Sequence, residues 1–225
     1  RLLILSDAAA LSDAQCEAIR GYVKRGGSLL ATFATSLYDE VGRRRADFGL
    51  ADVFGVSFDG RIQGPMQNSY LALDTDPSTG RRHPILEGFD DTTRIINGVF
   101  RVGVRPAEVF PSPLTLIPSY PDLPMEDVYP RVSHTDEREL YLRTIGGSRV
   151  VYIPWDIGRT FWDVMCVDHG RLLKNVIRWA TNEAPPVEVE GPGLLDVTAW
   201  RQRDSMTVHL VNLTNPMMMK GPLRE

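Results

Sequence analysis

The sequence predicts an α/β protein: a sheet domain with a β-rich insertion, followed by a C-terminal β-hairpin from an unfinished β-sandwich. Three observations predict it. Apolar runs at residues 1–7 and 28–34 flank a segment with helical periodicity. Short strand-like pieces, broken by Pro and Gly, fill residues 56–118. Beyond Ala184-Pro185-Pro186 the apolar residues alternate with the period of a strand.

The first run opens the chain without a leader or a methionine, so the chain is expected to be an excised piece of a longer protein. Ser12-Asp13-Ala14-Gln15 fits a capping box, in which the serine oxygen and the glutamine side chain satisfy amides left free at a helix start. Cys16, Ile19, Tyr22 and Val23 then fall on one helical face, and Gly26-Gly27 supplies the stop. With the strand at 28–34 this makes a strand–helix–strand unit of the length parallel pairing needs.

A short helix is expected at residues 48–54. Strands are expected at 69–73, 94–104 and 114–117, as an antiparallel insertion or edge. Residues 118–130 carry Pro118, Pro121, Pro124 and Pro130, too many for regular structure. That loop also carries Tyr120, Tyr129 and several carboxylates, so a binding loop and a mobile connector are both open readings. A hairpin follows, 140–145 with 149–153 around Gly146-Gly147, then a helix from about Asp168. The domain boundary is placed at residue 184, giving an α/β domain over 1–184 and the start of a β domain over 185–225. Within the latter, strands are expected at 187–189, 194–200 and 206–213.

The 225 residues are 43% hydrophobic and 24% charged, with a net charge of −4. This is an ordinary globular composition, and it lacks the basic face a nucleic-acid binder usually shows. The one basic cluster, Arg43-Arg44-Arg45, is short and soon meets Asp47. No apolar run approaches transmembrane length, so neither nucleic acid nor membrane is an expected partner. Cys16 and Cys166 form no CxxC and are expected as buried free thiols. His83, His134 and His209 lack partners at metal-ligand spacing, and no cofactor is expected.

The richest segment is Tyr152-Ile153-Pro154-Trp155-Asp156-Ile157-Gly158-Arg159-Thr160-Phe161-Trp162. An apolar run ends there in a proline, and loops leaving parallel strands usually carry the ligand contacts of an open α/β sheet. Flat rings at Trp155 and Trp162 suit stacking on a sugar, while Asp156 and Arg159 suit hydrogen bonds to hydroxyls. The same residues equally suit a tight loop held by an Asp–Arg pair and a buried Trp. Tyr38, Asp39, Tyr120 and Tyr129 complete the candidate substrate-binding set.

The ordered set Tyr22-Val23-Lys24-Arg25-Gly26-Gly27-Ser28-Leu29, Thr35-Ser36-Leu37-Tyr38-Asp39-Glu40, Val151-Tyr152-Ile153-Pro154-Trp155-Asp156, Asp168-His169-Gly170-Arg171-Leu172-Leu173 and Val208-His209-Leu210-Val211-Asn212-Leu213 spans most of the chain. It resembles the class I glutamine-amidotransferase-like (flavodoxin-like) domain of glycoside-hydrolase-like proteins. That domain is related to the trimerisation domain of family 42 β-galactosidases and, more distantly, to ThuA-like proteins. The resemblance implies a sheet that follows a catalytic (β/α)₈ barrel and precedes a β-sandwich, in a homo-oligomer acting on carbohydrate. The family's usual opening strand–helix unit is missing here.

A working amidotransferase needs a cysteine on a sharp strand-to-helix elbow. After the strand at 28–34 stands Thr35-Ser36-Leu37, without a cysteine and without G-x-S-x-G. Cys166 lies too close in sequence to Asp168 and His169 for a usual triad. Asp39 and Glu40 are adjacent and point apart, so a glycosidase pair would need Asp39 and Asp156 to converge. The expectation is therefore a non-catalytic accessory domain. Its alternative is a hydrolase with its own site between the 35–40 and 155–162 loops. Met217-Met218-Met219 is read as packing against a neighbouring domain.

Overall fold

A computed structural model describes residues 1–213 except 77, 134, 186 and 192–194; the readings of His134 and of Met217-Met218-Met219 fall outside them. The chain is mixed α/β with several small sheets. The central one is built from β1 (Leu2–Ser6), β2 (Ser28–Thr32), β8 (Tyr141–Ile145) and β9 (Ser148–Ile153), in the order β1-β2-β9-β8. The first three run parallel, and β8 joins β9 antiparallel through the turn at Gly146-Gly147.

Helix α1 (Asp13–Lys24) links β1 to β2, and both halves of the expected capping box form around Ser12 and Gln15. Pleat alternation sorts the strand residues to two faces. Leu29, Ala31, Val150 and Tyr152 join Cys16, Ile19 and Val23 of α1 in one core. Leu30, Val151 and Ile153 join Leu172, Val176 and Ala180 of α4 (Val167–Thr181) in the other. The sheet is therefore covered on both sides. This explains why β2 and β9 are continuous apolar runs instead of alternating ones.

Several expectations change. The helix at 48–54 shrinks to the single turn α2 (Ala51–Phe54). Gly49 ahead of it lies so tightly against Cys16 that a Cβ would sit 2.8 Å from the sulfur, and its amide donates to Ser36 instead of starting a helix. The expected strand at 94–104 splits into β5 (Arg94–Ile96) and β6 (Arg101–Pro106). Gly98, in the break, packs against Asp156 and Trp155 with no room for a Cβ. Finally, the segment after Pro154 is not a loop: α3 (Ile157–Val164) starts directly behind β9.

The insertion forms two antiparallel sheets. β3 (Val56–Gln63) pairs with β6, with a register shift between Phe58 and Ile62. β4 (Tyr70–Leu73) lies between β5 and β7 (Leu114–Ile117). At the C-terminal end, β10 (Leu195–Arg201) and β11 (Met206–Asn212) pair as the expected hairpin, while 187–189 is not a strand. Among the described residues no helix is long and apolar enough to cross a membrane.

Candidate functional site

The parallel strands β1, β2 and β9 end at one edge of the sheet, and the chain is strained there. Asp7, Phe33 and Ser36 are non-glycine residues at φ 51°, 49° and 64°; Asp7 and Phe33 follow directly on β1 and β2, and Ser36 lies in the turn after β2. Such left-handed residues are uncommon and persist where the surrounding contacts over-determine them. The contacts are visible. Asp7 N donates to Thr32 Oγ1 (3.1 Å), Phe33 N to Ile153 O (2.7 Å) and Ser36 N to Ala8 O (2.9 Å). The first turn of α3 closes on the same edge, because a Cβ at Gly158 would lie 2.8 Å from Ser6 Oγ.

Ser36 occupies the elbow position where a nucleophile would stand, yet it is fully buried. Its Oγ accepts the Leu50 amide at 3.1 Å, so its work is to hold the turn into α2. Cys16 and Cys166 are both buried and unpaired, Cys16 within α1 and Cys166 just before α4. Burial pushes the Cys16 thiol up, away from the thiolate a nucleophile requires.

The segment after β9 divides into an enclosed half and an exposed half. Trp155 is completely covered. Its Nε1 donates to Glu139 O at 3.0 Å, and its ring meets His169 edge-on at 5.1 Å. The stacking role expected for Trp155 is therefore corrected: neither face is open to a ligand. Asp156 is buried at 5% exposure, and its Oδ1 accepts Phe100 N (3.0 Å) and Thr160 Oγ1 (3.3 Å). Its Oδ2 has no hydrogen-bond partner among the described residues, and Arg159 Nη1 lies 3.9 Å from it. Arg159 itself is exposed, lying over the Phe100 ring at 5.1 Å and 3.7 Å from Asp163. Trp162 stands two-thirds exposed on the outer side of α3.

Tyr38 and Asp39 border the same edge, since Tyr38 bridges to Ala10 and Arg44 through its backbone. Asp39 Oδ1 accepts the amides of Val41 (3.0 Å) and Arg43 (2.8 Å), which commits that oxygen to a turn. Tyr120 belongs to the insertion, stacked on Tyr70 with ring centres 6.4 Å apart. Tyr129 is exposed beneath Arg131 on the proline-rich loop. The structure thus brings Asp156, Arg159 and Trp162 onto one short element, with Tyr38 and Asp39 at the same edge.

The sequence pattern gives no signal for Asp7, the aspartate that ends the first apolar run and is partly desolvated at the strand exits. Burial against its neighbours raises its carboxyl, and the charge of Asp156 adds to that, while the Ala34 amide and Arg159 pull the other way. Nor does the pattern single out the alternation Glu137-Arg138-Glu139 before β8, which places two carboxylates on one side of the chain. His169 is fully buried, bonded through Nε2 to Ile96 O at 2.8 Å, and burial holds it below the ordinary imidazole range. Among the described residues no group of three or more His, Cys, Asp or Glu could hold a metal ion.

What the geometry defines is a small, mostly parallel α/β sheet with a β-rich insertion packed at its strand exits. No family model matches the sequence, and no curated protein matches it. Solved structures do share the fold. Gan42B, a GH42 β-galactosidase from G. stearothermophilus, superposes with TM-score 0.63 at 15% identity, over 95% of this chain and 26% of that one. The β-galactosidase of Bacillus circulans sp. alkalophilus gives 0.66 at 13% identity, over 94% and 27%. A cytoplasmic protein of Salmonella typhimurium gives 0.53 at 14% identity, over 80% and 71%. The chain spans about a quarter of the length of these β-galactosidases, and at such identities the likeness establishes the fold alone.

Proposed function

We propose that this chain is a non-catalytic accessory and oligomerisation domain of a glycoside-hydrolase-like, β-galactosidase-like protein, with loops bordering the sugar site. The observation that carries the reading is the fold shared over 94–95% of this chain with only 26–27% of two β-galactosidases. In this reading residues 1–184 are the amidotransferase-like domain, kin to the trimerisation domain of family 42 enzymes and distantly to ThuA-like proteins. Residues 185–225 begin the next, β-rich domain. The partners are a catalytic barrel of the same protein and further copies of the chain, and carbohydrate is met through the parent enzyme.

The buried, hydrogen-bonded Ser36 at the elbow supports a scaffold whose nucleophile has been lost. The exposed Trp162 and Arg159 support a bordering surface, with Tyr38, Tyr120 and Tyr129 as outlying candidates. Light scattering over a concentration series tests the assembly: a mass that rises with concentration is expected, and a strict monomer at the highest soluble concentration overturns it.

The alternative, a hydrolase with its own site between the 35–40 and 155–162 loops, draws on the charge coupling of Asp7 with Asp156. Against it stand the turn that engages Asp39 and the enclosure of Asp156. Hydrolysis of an aryl β-galactoside by the purified chain, abolished in Asp156→Asn, would favour this alternative over the accessory reading.

A further inference from the structure

Glu137 and Glu139 alternate ahead of β8, so both carboxylates face the same way, while Arg138 between them turns to Asp74 (2.6 Å). They converge on Arg101 of β6. Its Nη1 lies 2.7 Å from Glu137 Oε2, its Nη2 2.7 Å from Glu139 Oε1, and Gln63 Oε1 accepts from Nη1. Arg101 is 1% exposed and Glu139 0%, whereas Glu137 is 38% exposed. Both Glu139 carboxyl oxygens and Arg101 Nε are buried without a hydrogen-bond partner among the described residues, so Arg101 meets Glu139 as an ion pair.

A charge count exposes the imbalance. The neighbouring ions, Arg61 and Asp59, form a close pair at 2.5 Å, and Arg61 reaches Glu137 only at 3.8 Å. That leaves one guanidinium between two carboxyl groups. With both ionised, the triad carries a net negative charge while Arg101 and Glu139 are shut off from water, which is costly. A bound proton removes it. The proton belongs on the carboxyl that water does not reach.

We propose that Glu139 holds a proton at neutral pH and serves as a proton-gated latch between the insertion and the central sheet. Arg101, Glu137 and Glu139 sit at the seam where these parts join. The Arg101 backbone bridges to Trp155, Val102 N donates to Pro154 O (2.8 Å), and Asp156 N donates to Phe100 O (3.1 Å). Trp155 closes the seam through its bond to Glu139 O. Ionising Glu139 leaves the seam with one negative charge in excess, on a carboxylate cut off from water, and so loosens β6 from the exit of β9.

Burial agrees with the charge count, pushing the Glu139 carboxyl up to about 8 against the pull of Arg101. The other titratable groups facing it do not take over its proton. Tyr141 on β8 and Tyr152 on β9 are both shifted upward by burial and stay neutral, and Arg101 is held charged by the carboxyl groups beside it. A carboxyl raised on folding favours the folded state fully below its unfolded value, and that contribution is lost as pH rises toward the folded one. Stability should therefore decline between the ordinary glutamate range and about pH 8.

The test is urea unfolding of the full chain from about pH 5 to about pH 9, for the wild type, Glu139→Gln and Glu137→Gln. The wild-type midpoint should fall across that range, Glu139→Gln should flatten the fall, and Glu137→Gln, which leaves Arg101 to Glu139 alone, should complete the fall at lower pH. An unchanged slope in Glu139→Gln overturns the proposal. Carboxyl NMR of the wild type needs no variant. One glutamate should titrate near pH 8, and the Trp155 indole resonance should move with the same midpoint. A full set of glutamates titrating in the ordinary range would refute the latch.

Discussion

β9 and β11 carry nearly the same proportion of apolar side chains, and they end in opposite surroundings. Val150, Val151, Tyr152 and Ile153 of β9 are all buried, covered by α1 on one face and α4 on the other. Val208, Leu210 and Val211 of β11 are 39–56% exposed, and Val197 and Trp200 across the hairpin are open as well. The register puts Leu195, Val197, Ala199, Met206, Val208 and Leu210 on one face of the hairpin, a side that nothing among the described residues buries. An apolar pattern therefore specifies a strand; whether the strand becomes core depends on which helices the rest of the chain can place over it. Two strands alone make a marginal unit.

The tryptophans give the widest contrast. Trp155→Ala should cost about 3–5 kcal/mol, because it opens a cavity under α4 and frees the Glu139 carbonyl. Trp200→Ala, with its ring 61% exposed, should stay within about 0.5 kcal/mol. Urea midpoints followed by circular dichroism measure both, and equal losses would break the distinction between the two regions. A smaller effect sharpens it at the junction. Gly98→Ala should cost about 1–3 kcal/mol by overpacking against Trp155 and Asp156, whereas Gly147→Ala, with open space around it, should cost less. Smallest is Trp162→Ala. It should leave the melting point nearly unchanged while weakening oligosaccharide binding by the parent enzyme. A large melting shift would mean that Trp162 packs against the fold.

Trp162 also marks how far the candidate site could be read in advance. Trp155, Asp156, Arg159 and Trp162 read as one segment because they are close in sequence. Their division into buried and exposed was not legible. It follows from α3, whose first turn is fixed by Gly158 against Ser6 and by Thr160 N bonding to Asp156 O. Those contacts join β1 to the exit of β9, so nothing in the local pattern announces them. The split of the expected strand at 94–104 has the same origin. Its residues favour extension throughout, but the close approach of Gly98 to Trp155 and Asp156 interrupts the pairing.

Local patterning alone specifies the strand–helix–strand opening, the capping box at Ser12 and Gln15, the hairpin around Gly146-Gly147, the helix before Asn182 and the terminal hairpin. Each rests on short-range sterics and hydrogen bonds within a few residues, which periodicity and cap chemistry encode directly. Which tryptophan is core, the sealing of Ser36 beneath Leu50 and the meeting of buried Arg101 with Glu137 and Glu139 follow from the assembled fold. Burial and ion pairing there depend on groups brought together from distant parts of the chain. The removal of water that gives those contacts their strength is a property of the assembled layers, not of any one segment.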